Sequence, residues 1–178
     1  SITMSASEMN DKDTIVFSAN AKNSLGQPVR IIERIQADGT RREALMSPDF
    51  TPERFWPGYR GTGPENAISP DVSPAGGAIV FTNTHDLYVM DADGAGITSL
   101  SRFPKEKYSP KFSPDGKRIA FVSDRDGNCE IYLMNHDGAN LRNVSWSFLS
   151  SEQSPTWSPE GSEIAFISDA GGKFELFK

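Results

Sequence analysis

The chain alternates between short apolar runs and short polar turns, and no run reaches the length of a helix. Ile119, Ala120, Phe121 and Val122 are apolar at consecutive positions, as are Ile79, Val80 and Phe81, and Ile164, Ala165, Phe166 and Ile167. Runs of this length, bounded by Gly, Pro, Asp and Ser, predict strands covered on both faces rather than strands with one wet side. No stretch keeps a 3.6-residue apolar period for three turns without a Gly or Pro, which speaks against helices. The strand Arg118 to Ser123 is followed by a polar turn and a second strand, Glu130 to Asn135. The Asp137-Gly138 step then signals a hairpin, leading into a third strand at about Asn140 to Trp146.

These elements recur. Tyr108-Ser109-Pro110-Lys111-Phe112-Ser113-Pro114-Asp115-Gly116 reappears as Gln153-Ser154-Pro155-Thr156-Trp157-Ser158-Pro159-Glu160-Gly161, a shift of 45 residues. The same shift carries Phe121 onto Phe166. An earlier copy, Ile68-Ser69-Pro70-Asp71-Val72-Ser73-Pro74-Ala75-Gly76, lies 40 residues before the one at Ser109. A degenerate first copy fits Ser1 to Ser5 followed by Thr14-Ile15-Val16-Phe17. Asp86-Leu87-Tyr88-Val89-Met90 matches Glu130-Ile131-Tyr132-Leu133-Met134, and Ile31 to Gly39 is a weaker version. A period near 40–45 residues with four short strands per unit predicts an all-β protein, a β-propeller of four-stranded antiparallel blades. The expected blades are 1–46, 68–101, 108–147 and 153–178, the last incomplete, with an insert at 47–67. The Ser-Pro-x-apolar-Ser strand is expected innermost, because a strand proline needs a position without a ladder partner. Three readings of blade number stand open: part of a larger propeller, a homodimer completing a larger ring, or a compact four-bladed ring.

Composition narrows the function classes. In 178 residues, 11 Phe, 4 Tyr and 3 Trp supply a core, and the formal net charge of −6 argues against a nucleic-acid binder. No apolar stretch is long enough for a membrane-spanning helix, so membrane insertion is not expected. One cysteine, Cys129, excludes an intrachain disulfide. His85 and His136 are the only histidines, and no Gly-x-Ser-x-Gly elbow is present, so neither a catalytic set nor a cofactor is expected. Asp124-Arg125-Asp126-Gly127-Asn128 looks like the start of a calcium loop but carries Asn135, not Glu, at the twelfth position. It reads better as a hairpin turn, and no metal is expected. Asn143-Val144-Ser145 matches a glycosylation sequon.

The candidate binding residues lie in connections between units. The insert holds Arg54, Phe55, Trp56, Tyr59 and Arg60 among four prolines, and the linker before the third unit holds Phe103, Lys105 and Tyr108. Aromatics interleaved with arginine are the residue types of binding hot spots, and long loops often carry function. The alternative is that the insert's aromatics fold back over the channel or a blade top. Phe148, Glu152 and Gln153 occupy the equivalent linker before the fourth unit.

The Ser-Pro-x-aromatic-Ser-Pro-Asp-Gly opening, the Ile-Ala-Phe-x-Ser-Asp-Arg-x-Gly strand and the Ile-Tyr-x-Met-x-x-Asp-Gly hairpin resemble the repeats of TolB-like β-propellers. The resemblance covers residues 69–177 well and 1–46 weakly. It implies a non-catalytic scaffold of the bacterial cell envelope, periplasmic, that binds protein partners through loops on one propeller face. Similar repeats also occur in the propellers of prolyl-oligopeptidase-like peptidases and of polysaccharide lyases, and a carbohydrate- or peptide-binding propeller is a further alternative.

Overall fold

The computed structural model describes residues 4–5, 14–49, 68–83, 86–101 and 107–178. Among the described residues fifteen strands form four antiparallel sheets in strict sequence order. The first blade contains β1 (Met4–Ser5), β2 (Thr14–Lys22), β3 (Pro28–Gln36) and β4 (Glu43–Ala44). The second contains β5 (Ile68–Val72), β6 (Ala78–Thr82), β7 (Leu87–Asp91) and β8 (Thr98–Ser99). The third contains β9 (Lys107–Phe112), β10 (Arg118–Ser123), β11 (Glu130–Asn135) and β12 (Arg142–Asn143). The fourth contains β13 (Glu152–Trp157), β14 (Ile164–Ser168) and β15 (Glu175–Phe177). The strands of a blade are referred to below as a to d. This is the expected architecture of four-stranded propeller blades with an incomplete last blade.

Two details differ from the reading of the sequence. Strand d of the third blade shrinks from about Asn140–Trp146 to Arg142–Asn143. Asn140 and Trp146 both take left-handed conformations (φ 55° and 47°), which turn the chain out of the ladder at each end. The strand-a prolines are accommodated by a bulge rather than by a free edge alone. Ser69, Ser109 and Ser154, each preceding a proline, have φ of 52°, 50° and 53°. At each site the Ser-Pro pair faces a single phenylalanine of strand b (Phe81, Phe121 or Phe166), as the register shifts show. A bulge leaves its extra residue out of the ladder, so the missing proline N–H costs nothing.

Each of those phenylalanines stacks on its register partner in strand c: Phe81 on Tyr88 at 5.5 Å, Phe121 on Tyr132 at 5.8 Å and Phe166 on Phe177 at 6.1 Å. The core lies between blades. One cluster joins Val16, Ile32 and Leu45 of the first blade to Val72, Ile79 and Met90 of the second. Another joins Val80 and Leu87 to Phe112, Ile119 and Met134 of the third.

The blades pack in sequence order, β5 against β2, β9 against β5 and β6, and β13 against β9, β10 and β11. Among the described strands no comparable packing joins the fourth blade to the first. Among the described residues the four blades therefore stand side by side in a row, in sequence order. Polar ties reinforce the inner strands. Asp71 accepts from Lys111 Nζ at 2.9 Å and from the Phe112 N–H at 2.8 Å, and Trp157 Nε1 donates to the Lys111 carbonyl at 3.1 Å. The c–d turns sit tightly on the preceding blade. A Cβ on Gly94 would lie 1.8 Å from the Leu45 carbonyl oxygen, a position only glycine can fill.

Candidate protein-binding face

The b–c turns and the d–a connections share one face of the row, because strands a and c run towards the opposite face. Of the residues singled out in the sequence, Arg54, Phe55, Trp56, Tyr59, Arg60, Phe103 and Lys105 lie outside the described residues. Tyr108 is described. It lies in β9 opposite Val122, half-buried.

The connection from the third blade to the fourth is described in full, and it is unusual. Trp146, Phe148 and Leu149 are 68%, 89% and 98% exposed. Exposed apolar side chains close together in the chain are candidates for an interaction site. Here the backbone between them is clamped from below. Asn128 of the b–c turn donates through its side-chain amide to the carbonyls of Ser147 and Ser150, each at 2.6 Å, and to Glu130 Oε1 at 2.9 Å. Glu130, buried, accepts the Ser147 N–H at 2.9 Å and the Ser145 hydroxyl. The Ser147 and Ser150 hydroxyls bond each other, and Ser150 donates to Glu152 Oε1 at 2.6 Å. Inward-facing polar groups thus hold the loop while its apolar groups point out. The sequence shows Phe148 as a linker residue, its pattern puts Trp146 at the end of strand d, and Leu149 carries no signal. The clamp places all three on one short segment held at its backbone.

The polar cluster beneath the loop holds two buried carboxyl groups, Glu130 and Glu152. Glu152 Oε1 accepts from Ser150 and Ser168, while its Oε2 is buried with no donor. Burial raises the Glu152 carboxyl above the ordinary range, and the nearby Glu130 carboxyl raises it further, against the opposing effect of the two serines.

The junction between the second and third blades has the same layout with opposite chemistry. Asp86 stands in the place of Glu130, and Lys107 in the place of Glu152. Lys107 is fully buried, with Nζ 3.8 Å from Asp86 Oδ1. Burial lowers its ammonium to about 8, although Asp86 pulls the other way. Ser101 donates to Asp86 at 2.8 Å.

The calcium-like segment forms a tight b–c turn, closed by the Gly127 N–H to the Asp124 carbonyl at 3.0 Å. Asp126 accepts from the Tyr132 hydroxyl, and Arg125 lies over the Tyr132 ring at 4.9 Å. Asn128 points its amide donor, not its oxygen, at the neighbouring carbonyls and carboxylate. Among the described residues no group of three or more His, Cys, Asp or Glu is placed to hold a metal. Asn143 of the sequon accepts from the Ser145 and Trp146 N–H groups at 3.1 Å.

A family model described as "TolB beta propeller domain" matches residues 60–178. The chain belongs to this family. Among curated proteins, the "Tol-Pal system protein TolB" of Thioalkalivibrio sulfidiphilus is 34% identical over 105 residues, which is 59% of this chain and 23% of that protein. The "Dipeptidyl-peptidase 5" of Porphyromonas gingivalis is 35% identical over 88 residues, 46% of this chain and 13% of that protein. The chain therefore spans less than a quarter of the length of either relative. Among solved structures, TolB from Acinetobacter baumannii superposes with a TM-score of 0.67 at 20% identity, covering 93% of this chain and 38% of that one. That likeness concerns the fold, and it is the TolB-like propeller.

Proposed function

We propose that this TolB-like chain is a non-catalytic protein-interaction scaffold of the bacterial cell envelope, located in the periplasm, with partners docking on the face of the d–a connections. The observation that carries this reading is the clamped loop that presents Trp146, Phe148 and Leu149 to solvent. A pre-organised apolar projection loses little conformational freedom on binding, and its aromatic groups suit a hot spot. Its place in the sequence, between one blade and the next, matches that of the insert bearing Arg54, Phe55, Trp56, Tyr59 and Arg60 and of the linker bearing Phe103 and Lys105, which leads into Tyr108 of β9. The proposed units remain blades 1–46, 68–101, 108–147 and 153–178 with the insert 47–67. The relation to a Tol-Pal system protein supports the envelope setting.

The test is calorimetric binding of the chain to the purified Tol and Pal proteins of its own organism. The double variant Phe148→Ala and Leu149→Ala is expected to weaken capture about tenfold or more, as loss of hot-spot anchors does, with the melting temperature unchanged. Full retention of affinity in that variant would remove this loop from the binding face.

A second reading is favoured by the relation to a dipeptidyl-peptidase: the propeller would then be the non-catalytic part of a peptidase. Peptide hydrolysis by the longer protein, absent from a variant lacking a nucleophilic serine outside this chain, would establish it.

A further inference from the structure

On the opposite face, formed by the a–b and c–d turns, two of the three blade junctions are closed by an arginine of the preceding blade. Between the first and second blades, Arg34 of β3 donates from Nη1 to the Ala92 carbonyl at 3.3 Å. Between the third and fourth, Arg118 at the start of β10 lies over the Trp157 ring at 4.7 Å and donates from Nη2 to the Gly161 carbonyl at 2.8 Å.

The junction between the second and third blades has neither arginine. Ala78 occupies the place of Arg118. It pairs with Asp91 as Arg118 pairs with Asn135, and the N–H of each donates to the a–b turn serine, Ser73 or Ser113. Val89 occupies the place of Arg34, by the same shift that carries Gly39 onto Gly94. A groove of about 560 Å³ opens at this junction, lined by Pro74, Ala78, Val89, Phe112, Pro114 and His136 among others. Phe112 stands where Trp157 stands in the closed junction. Gly116 and His136 stand where Gly161 and Ala92 present their carbonyls.

We propose that this groove is a docking site for the arginine side chain of a partner protein. The guanidinium takes the position that Arg118 occupies at the sister junction, against Phe112 and the carbonyl of Gly116. A guanidinium suits the site better than an ammonium, because it is planar, weakly hydrated and able to stack on an aromatic face while donating in its plane. The charge of the rim agrees. Asp115 lines the groove, and Asp93 and Asp137 lie in the flanking c–d turns, while Lys117 is the one Lys or Arg among the described lining residues. The site is on the face opposite the Phe148 loop, so it is independent of the function proposed above.

The test is an NMR titration of the whole chain with N-acetyl-arginine amide, with N-acetyl-lysine amide as the control. Saturable shifts are expected at the Lys117 and His136 amides, with the lysine compound weaker by about tenfold because an ammonium cannot stack and fork in the same way. Ala78→Arg, which restores the sister junction's own guanidinium, is expected to raise the melting temperature and abolish the titration. Lys117→Glu is expected to tighten binding a few-fold, and it tests the site even if the first variant does not fold. Absence of shifts at the groove, equal binding of the two compounds, unchanged titration of Ala78→Arg, or unchanged affinity in Lys117→Glu would each overturn the proposal.

Discussion

The third and fourth blades share the same residue pattern but differ in what it accomplishes. Ile119, Ala120, Phe121 and Val122 of β10 are all within 2% of full burial, because the second blade covers one face and the fourth blade the other. Their counterparts in β14, Ile164 to Ile167, are half-buried or exposed, and in the following strand Leu176 is 75% exposed. The cross-strand pairs Phe121–Tyr132 and Phe166–Phe177 stack at nearly the same distance in both. The strand motif therefore suffices for local pairing and bulge geometry. The hydrophobic stabilisation comes from the neighbouring blade, as expected for a repeat array whose stability resides largely in interfaces.

The largest effect should come from truncating the two equivalent phenylalanines. Phe121→Ala is expected to cost about 3–5 kcal/mol, as for other fully buried aromatics. Phe166→Ala should cost roughly 1 kcal/mol, since much of its area stays in water. Denaturant unfolding of the two variants measures the ratio, and equal losses would break the comparison.

The next test concerns the junction that links the two blades. Glu152 has a raised carboxyl in the folded state. Its contribution to stability is therefore fully present below the ordinary value of 4.5 and is lost as pH rises through the folded value. Glu152→Gln, whose amide supplies a donor at all pH values, is expected to be more stable than the parent by about 1–3 kcal/mol at pH 8, the cost of one unpartnered buried acceptor. The difference should vanish below pH 4.5. Melting curves across that range decide the matter. The junction between the second and third blades should show the opposite trend at alkaline pH. Because the Lys107 ammonium is lowered from 10.5 to about 8, the unfolded chain holds the proton more tightly across that window, and stability rises with pH there.

The smallest effects compare Arg118 with its fourth-blade counterpart, Glu163. Arg118→Ala removes the contact with Trp157 and the bond to Gly161, and should cost about 1–2 kcal/mol. The Glu163 carboxylate pairs with the exposed Lys178 at 3.2 Å, so Glu163→Ala should change stability by about 0.5 kcal/mol or less. Thermal unfolding resolves the two.

Much of the fold was legible because its signals are local. Asp-Gly at Asp137-Gly138 fixes a hairpin, Ser113-Pro114-Asp115-Gly116 fixes a turn, and consecutive apolar residues in β10 indicate two covered faces. Strand d of the third blade was overestimated because nothing in the residue types of Asn140 and Trp146 announces their left-handed backbone. The candidate site was less legible. Phe148 could be noted as a linker aromatic. Its exposure depends on Asn128 and Glu130, residues separated from it in sequence and brought beneath the loop by the b–c turn.

Residue types and their spacing set the repeat, the strand order within each blade and the turn chemistry, because each depends on neighbours a few positions away. Tertiary structure decided which copies of the motif are buried, which junction pairs Asp86 with Lys107 and which pairs Glu130 with Glu152, and which gap between blades lacks its arginine. Those outcomes arise where one blade meets the next, about 40 residues along the chain, and packing there depends on both surfaces at once.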